Sequence, residues 1–226
     1  MDRPASLKIA GFSQPHDVVI LLHGLFATSK SMRTAKECLE DSGYTVINWG
    51  YPTFWRSIEK LTHGLLPTIK HLQSEPAVKS INFVTHSMGG ILVRYALQIG
   101  SLAKIRRVVM MAPPNAGSHL TRVSLGPFRK FLPAIAELTE SQDSLPNRLV
   151  DPNSVEFGVI AAEEDFVVKV PNTHLANQKD HCVLQTTHYA LPKHEEALRK
   201  AVRFLKSGYF ERPVACERPM IRKMAA

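Results

Sequence analysis

Ser87 is the residue whose surroundings most clearly indicate chemistry, in the sequence THSMGG. Residues 81–84 before it have the composition of a buried strand, and the apolar residues after it recur at helical spacing. A serine in a sharp turn between a strand and a helix has a strained backbone that exposes its hydroxyl as a nucleophile. Gly89 is the small neighbour that such a turn needs, while Thr85 occupies the equivalent position before the serine. The alternative interpretation is an ordinary turn in which Ser87 caps the helix.

A nucleophilic serine also needs a base, usually histidine, and a carboxylate that orients the base. Asp165 follows a predicted strand at residues 155–162, and His188 follows another at residues 182–185. The carboxyl ends of parallel strands lie along one edge of a sheet, so Ser87, Asp165 and His188 are expected to converge there.

Other carboxylates and histidines are alternatives to Asp165 as the acid and to His188 as the base. Asp165 is favoured as the acid by its offset from the valines that follow it. Two adjacent and three more remote carboxylates remain open: Glu163, Glu164, Asp143, Asp151 and Asp180. His188 is favoured as the base because it lies between the last strand and the final helix. The other histidines considered lie before that strand, at the start of that helix or beside the motif turns: His181, His194, His23 and His86. The last two are predicted to hold loops through their ring nitrogens.

Acyl transfer requires donors for the oxygen that becomes negatively charged. The predicted strand at residues 17–22 ends in HGLF, where Gly24 lets the backbone turn so that the Leu25 amide faces the cleft. The amide of Met88, directly after the serine, is the second candidate donor. The alternative for HGLF is a plain strand-to-helix turn.

Large apolar side chains near these turns are candidates for a substrate cleft. Phe26 belongs to HGLF, Phe54 and Trp55 lie in an aromatic loop after the predicted strand at residues 45–49, and Phe128 lies in a later amphipathic stretch. A core or edge role for the loop aromatics is equally consistent with their residue types.

The elements that position these residues alternate along the chain. Apolar runs of strand length alternate with segments that are apolar at helical spacing, which predicts an α/β fold with a mostly parallel sheet and helices on both faces. Residues 114–153 form a longer connection, which indicates a small lid-like insertion; a helix packed on the sheet edge is the alternative. Residues 1–226 are therefore predicted to form one domain, with a weakly ordered tail at 212–226.

Composition limits the function classes. The 226 residues are 44% hydrophobic and 21% charged, which fits one domain with a large core. The net charge is +8, but the basic residues are scattered without interleaved aromatics, so no nucleic-acid partner is expected. The first nine residues lack a signal sequence and no apolar run is long enough to span a membrane, which predicts a cytoplasmic protein without stable membrane insertion. Three cysteines fit neither a disulfide framework nor a zinc site, and the proposed chemistry requires no metal or cofactor.

The combined motifs resemble the α/β-hydrolase superfamily, and within it the bacterial esterase and lipase group, over residues 18–204. The segment APPNAGS resembles the P-x-x-G-S segment of that group's lipases, and EDFVVKV resembles its D-G-x-V acid loop with Phe166 in place of glycine. The superfamily also has its catalytic residues in the order serine, acid, histidine.

The resemblance implies that Ser87 is the nucleophile, Asp165 the acid and His188 the base, with the amides of Leu25 and Met88 as the oxyanion hole. The expected activity is hydrolysis of carboxylic esters with an apolar acyl group, through an acyl-enzyme on the serine. One alternative is acyl transfer to another acceptor or thioester cleavage by the same residues. A binding protein that retains the fold is the other.

Overall fold

The computed structural model describes residues 15–119 and 132–211. In these ranges the strands are β1 (His16–Leu22), β2 (Thr45–Trp49), β3 (Val78–His86), β4 (Ile105–Met111), β5 (Glu156–Glu164) and β6 (Gln178–Thr187). The α-helices are α1 (Arg33–Asp41), α2 (Ile58–Ser74), α3 (Met88–Ile99), α4 (Pro133–Glu137), α5 (Leu145–Arg148) and α6 (Glu195–Ser207). The strands form one sheet in the order β2-β1-β3-β4-β5-β6, and every neighbouring pair is parallel.

The sheet is buried on both faces. In β1, Val18, Ile20 and Leu22 belong to the core under α2 and α3, while Val19 and Leu21 belong to the core under α1 and α6. Because successive side chains of a strand point to opposite faces, a strand covered on both faces is apolar throughout. The continuous apolar runs in the sequence have this origin, and the predicted α/β sheet with helices on both faces is confirmed.

The strand register brings the ends of the central strands to one level. Thr85 of β3 pairs with Leu22 of β1 on one side and with Met110 of β4 on the other. The turns that leave β1, β3 and β4 therefore meet at the carboxyl edge of the sheet, where the sequence places its chemical motifs.

The connection from β1 to β2 contains a 3-10 turn, Ser29–Met32, that continues as α1. One strand differs from the sequence prediction. The strand expected at residues 182–185 extends over Gln178–Thr187. It is an edge strand with side chains that alternate between more and less buried positions, so much of its length is polar and gives no apolar run.

The predicted insertion lies between β4 and β5. Its described part contains the short helices α4 and α5, while Phe128 lies outside the described residues, as does the predicted tail at 212–226. The end of the insertion is tied to α3, because the buried Arg94 donates from Nε to Asp151 Oδ1 at 2.7 Å and from its Nη2 to the Leu149 carbonyl at 3.1 Å.

None of the described helices combines the length and the apolar composition needed to cross a membrane.

Candidate active site

Ser87 lies in a strained turn between β3 and α3, with φ 52° and ψ −126°. Its amide donates to the Met111 carbonyl at 2.8 Å, and within the described residues its side chain makes no capping hydrogen bond to α3. A Cβ atom on Gly89 would lie 2.7 Å from the Leu22 carbonyl oxygen and 2.8 Å from that of His23. Only glycine therefore allows α3 to start this close to the end of β1, and the turn presents Ser87 rather than using it as a cap.

Thr85 occupies a position where this type of turn often has glycine. The residue is fully buried, and its Oγ1 lies 3.4 Å from the Val109 carbonyl oxygen. A Cβ atom on Gly90 would lie 3.3 Å from Thr85 Oγ1 and 2.5 Å from the terminal methyl of Met110. Because position 90 is glycine, there is space for the side chain of Thr85, which is larger than the glycine often found at its position.

His188 and Asp165 form a buried pair at the same edge of the sheet. The Nδ1 atom of His188 lies 2.7 Å from Oδ2 of Asp165, with 4% and 1% of the two side chains exposed. The other carboxylate oxygen accepts hydrogen bonds from the amides of Val167 at 2.7 Å and Val168 at 2.8 Å. The acid is thus held by its own loop with one oxygen directed at the imidazole. Phe166, 80% exposed, does not have the positive φ that would require glycine at this position.

The structure separates the other candidate carboxylates from His188. Glu163 and Glu164 are the exposed last two residues of β5, and Asp143 is exposed in the insertion. Asp151 pairs with Arg94, and Asp180 accepts from the amide of Phe210 at 2.7 Å. Among the described carboxylates that the sequence suggested, Asp165 is the one that the structure brings to the histidine.

Ser87 and His188 line the same cavity, which has a volume of about 100 Å³. Its apolar wall is formed by Leu25, Pro114, Ile135, Leu138, Val167 and Val168. In the part of the chain that the structure describes, Ser87 Oγ makes no hydrogen bond to His188. Such contacts are often long in the absence of substrate and tighten when it binds.

The HGLF turn packs directly on the turn that contains Ser87. A Cβ atom on Gly24 would lie 3.0 Å from the Cβ of Ser87, so this glycine is required by the close approach. Leu25 follows and lines the cavity, and Phe26 has φ 59°. Across residues 15–119 and 132–211, the amides of Leu25 and Met88 have no acceptor. These two amides, one next to Ser87 and one in the turn that packs on it, are therefore candidate donors to an oxyanion.

The predicted aromatic residues divide into two groups. Phe26 lines the cavity, whereas Phe54 packs on Phe26 with ring centroids 5.5 Å apart and, like Trp55, lies outside the cavity wall. Tyr189 was not predicted; it lines the cavity and meets the His188 ring edge-on at 5.1 Å. Its position directly after the histidine is the only sequence signal for this role.

The ring nitrogens of His23 and His86 contact loop backbone, as predicted for both. His23 Nδ1 lies 2.9 Å from the Gly24 carbonyl oxygen, and its ring stacks on Tyr51 at 4.0 Å. The Tyr51 hydroxyl donates to the His23 carbonyl. Burial lowers the pKa of His23 and raises the pKa of Tyr51, so both side chains are neutral near pH 7. His86 contacts the backbone of His188 through Nε2 at 2.9 Å.

A metal centre is not visible in the described part of the chain, which has no group of three or more histidine, cysteine, aspartate or glutamate side chains that could hold an ion.

Part of the chain is similar to a family of known proteins, and the fold is similar to several solved structures. Residues 13–114 match the family described as "Putative serine esterase (DUF676)". Similar solved structures include a lipase from Bacillus licheniformis in its mature form, with 15% identity, a TM-score of 0.63 and coverage of 87% of this chain and 94% of the lipase. An esterase from Pyrococcus furiosus has 19% identity, a TM-score of 0.62 and coverage of 87% and 85%. A comparison with curated protein sequences gave no match.

Phospholipase PlaB from Legionella pneumophila is also similar, with 19% identity and a TM-score of 0.57 over 70% of this chain. The chain spans 44% of the length of that phospholipase. The fold is therefore that of the α/β-hydrolases. The family match over residues 13–114 includes β1 to β4 and the turn that carries Ser87.

Proposed function

We propose that this protein hydrolyses carboxylic esters with Ser87 as nucleophile, His188 as general base and Asp165 as the acid that orients the base. The observation that carries the proposal is the shared cavity. Ser87 and His188 both line it, and the buried Asp165 lies behind the histidine. The family match and the phospholipase, lipase and esterase among the similar structures support an ester substrate.

The geometry supports a role for each group in this proposal. Because Asp165 accepts from Nδ1–H of His188, the free Nε2 can take the proton of Ser87 when substrate brings the two side chains together. The serine oxygen then attacks the ester carbonyl, and the amides of Leu25 and Met88 donate to the oxyanion. His188 returns the proton to the leaving alcohol, and water releases the acid from the acyl-enzyme by the same route.

The cavity indicates the kind of acyl group. Its wall is apolar, and its volume of about 100 Å³ is well below the ~300–1,000 Å³ of pockets that enclose drug-sized ligands. We infer that a short apolar acyl chain enters the cavity, with Ile135 and Leu138 of the insertion limiting its length, while the alcohol part of the ester lies towards the exposed Phe26 and Tyr189.

A fluorophosphonate probe with peptide mapping tests the nucleophile. Labelling should be confined to Ser87, absent in Ser87→Ala and unchanged in a control, Ser101→Ala, whose serine lies exposed after α3. Hydrolysis of p-nitrophenyl acetate, butyrate and octanoate should decline towards the longest chain and disappear in Ser87→Ala. Turnover that survives this substitution would contradict the assignment. Faster transfer to an added alcohol or thiol than to water would identify an acyltransferase instead.

A further inference from the structure

His86 contacts three segments of the active site at once. It precedes Ser87, only 3% of the residue is exposed, and its Nε2 lies 2.9 Å from the backbone carbonyl oxygen of His188. The rings of the two histidines are 4.8 Å apart. On its other side, His86 Nδ1 lies 3.1 Å from where a Cβ atom on Gly24 would be, so the ring also packs on the HGLF turn.

The contact with His188 fixes the protonation of His86. A backbone carbonyl can only accept, so Nε2 carries the hydrogen and Nδ1 does not. Nδ1 is buried and has no hydrogen-bond partner among the described residues. Burial and the neighbouring His188 lower the pKa of His86 to about 3, which keeps the ring neutral. A neutral ring can hold the His188 backbone without repelling the imidazolium that His188 becomes during the reaction.

His188 needs a backbone restraint that Asp165 does not supply. Asp165 contacts the Nδ1 end of the ring. The backbone of His188 leaves β6, which pairs with β5 on one side only, and enters a turn in which the Ala190 amide donates to the Thr187 carbonyl at 3.2 Å. The hydrogen bond from His86 is made at this point, where the edge strand gives way to the turn.

We propose that His86 is a positioning residue for the base: through its hydrogen bond to the His188 carbonyl, it fixes the distance between His188 Nε2 and the hydroxyl of Ser87. The role rests on the proposed function. Because the hydrogen bond joins the residue before the nucleophile to the residue that carries the base, the two reacting groups are held relative to each other. Misplacement by about 1 Å can reduce the rate of a positioned reaction about 100-fold.

Two substitutions separate the hydrogen bond from the packing. His86→Gln places an amide N–H₂ near the position of Nε2, whereas His86→Leu fills much of the space without a donor. We expect His86→Leu to reduce kcat for p-nitrophenyl acetate about 10- to 100-fold with little change in KM. His86→Gln should recover most of kcat. Unfolding midpoints measured on the same samples show whether the loss of kcat results from a loss of stability.

Equal kcat values in the two variants, or a loss confined to KM, would overturn the role of His86. Should His86→Leu fail to fold, His86→Asn replaces it, because the shorter amide cannot reach the His188 carbonyl and should show the same loss of kcat. The wild type and Ser87→Ala are measured alongside. Absence of Ser87-dependent turnover in the wild type would overturn the proposed hydrolase function and this role with it, whereas normal wild-type turnover with unaffected His86 variants would overturn the positioning role alone.

Discussion

The imidazole Nδ1 of His188 lies 2.7 Å from Oδ2 of Asp165, and the other oxygen of that carboxylate is already bound by two amides of its own loop. The acid is therefore fixed before substrate arrives. Its position does not depend on the histidine, because Val167 and Val168 hold it independently.

Asp165→Asn should leave the fold intact and reduce kcat about 10³- to 10⁴-fold. The amide oxygen can still accept from the loop amides, but a neutral side chain neither selects the correct tautomer of His188 nor stabilises its cation. Ester hydrolysis at neutral pH measures the effect. Glu164→Gln is the matched control, because this exposed carboxylate lies one residue away and should retain wild-type activity. Similar losses in the two variants would contradict the assignment of the acid.

Gly89→Ala should destabilise the fold by about 1–3 kcal/mol, because the added methyl meets the Leu22 carbonyl oxygen at 2.7 Å. Gly64→Ala is the opposite case. Gly64 lies on an exposed position of α2, where the nearest atom to a new Cβ belongs to Trp49 at 3.8 Å. Alanine there should stabilise the helix by up to about 1 kcal/mol. Urea unfolding of both variants provides the comparison. An equal loss of unfolding free energy at both positions would show that the close contact with the Leu22 carbonyl is not the cause.

Arg94→Met should destabilise the protein by about 3–5 kcal/mol, since it leaves the buried carboxylate of Asp151 without its partner. Arg33→Met is the matched control, because Arg33 forms an exposed pair with Glu37 whose removal should leave the unfolding midpoint nearly unchanged. Denaturant unfolding measures both. The double variant Arg94→Met, Asp151→Leu should recover part of the loss, and failure to do so would mean that the carbonyl contacts of Arg94 matter more than the ion pair.

Stability should fall as the pH decreases from about 6.5 towards 3. The pKa of His86 is about 3 in the folded protein, against 6.5 in an unfolded chain, so in this window only the unfolded state binds the proton. Above pH 6.5, His86 should not change the free energy of unfolding with pH. Below pH 6.5, it should lower that free energy by at most about 1.4 kcal/mol per pH unit. Urea unfolding at several pH values should give a shallower slope for His86→Gln than for the wild type. Identical slopes would mean that His86 is protonated in the folded state.

The strained turn was predictable because its signal is local. Ser87 lies between a buried strand and a helix, and the glycine two positions later is required by backbone atoms of β1 that the sequence pattern also located. The parallel sheet followed from strands that are apolar on both faces. The positions of His188 and Asp165 could be predicted because each follows a predicted strand and the carboxyl ends of parallel strands share one edge.

The cavity wall could not be predicted in the same way. Tyr189 comes from the turn after β6, whereas Ile135 and Leu138 come from α4 and the residue that follows it. Their convergence depends on the path of long connections that the strand pattern does not determine. Phe54 and Trp55 were predicted to bind substrate, but the structure places them beside the wall rather than in it. The residue type predicts that an aromatic side chain will pack against other residues. Which residues it contacts depends on the backbone path of the loop, which the sequence pattern does not give.

At Ser87, the proposed catalytic role and the stability of the fold have opposite requirements. A non-glycine residue with φ near 52° raises the energy of the folded state by about 1–3 kcal/mol. Hydrogen bonds on both sides maintain that conformation, since the Ser87 amide donates to Met111 and the Ser87 carbonyl accepts from Gly90. Ser87→Gly should therefore yield a more heat-resistant protein without hydrolytic activity. Under selection for thermal tolerance alone, this chain would be expected to replace Ser87 while retaining its architecture.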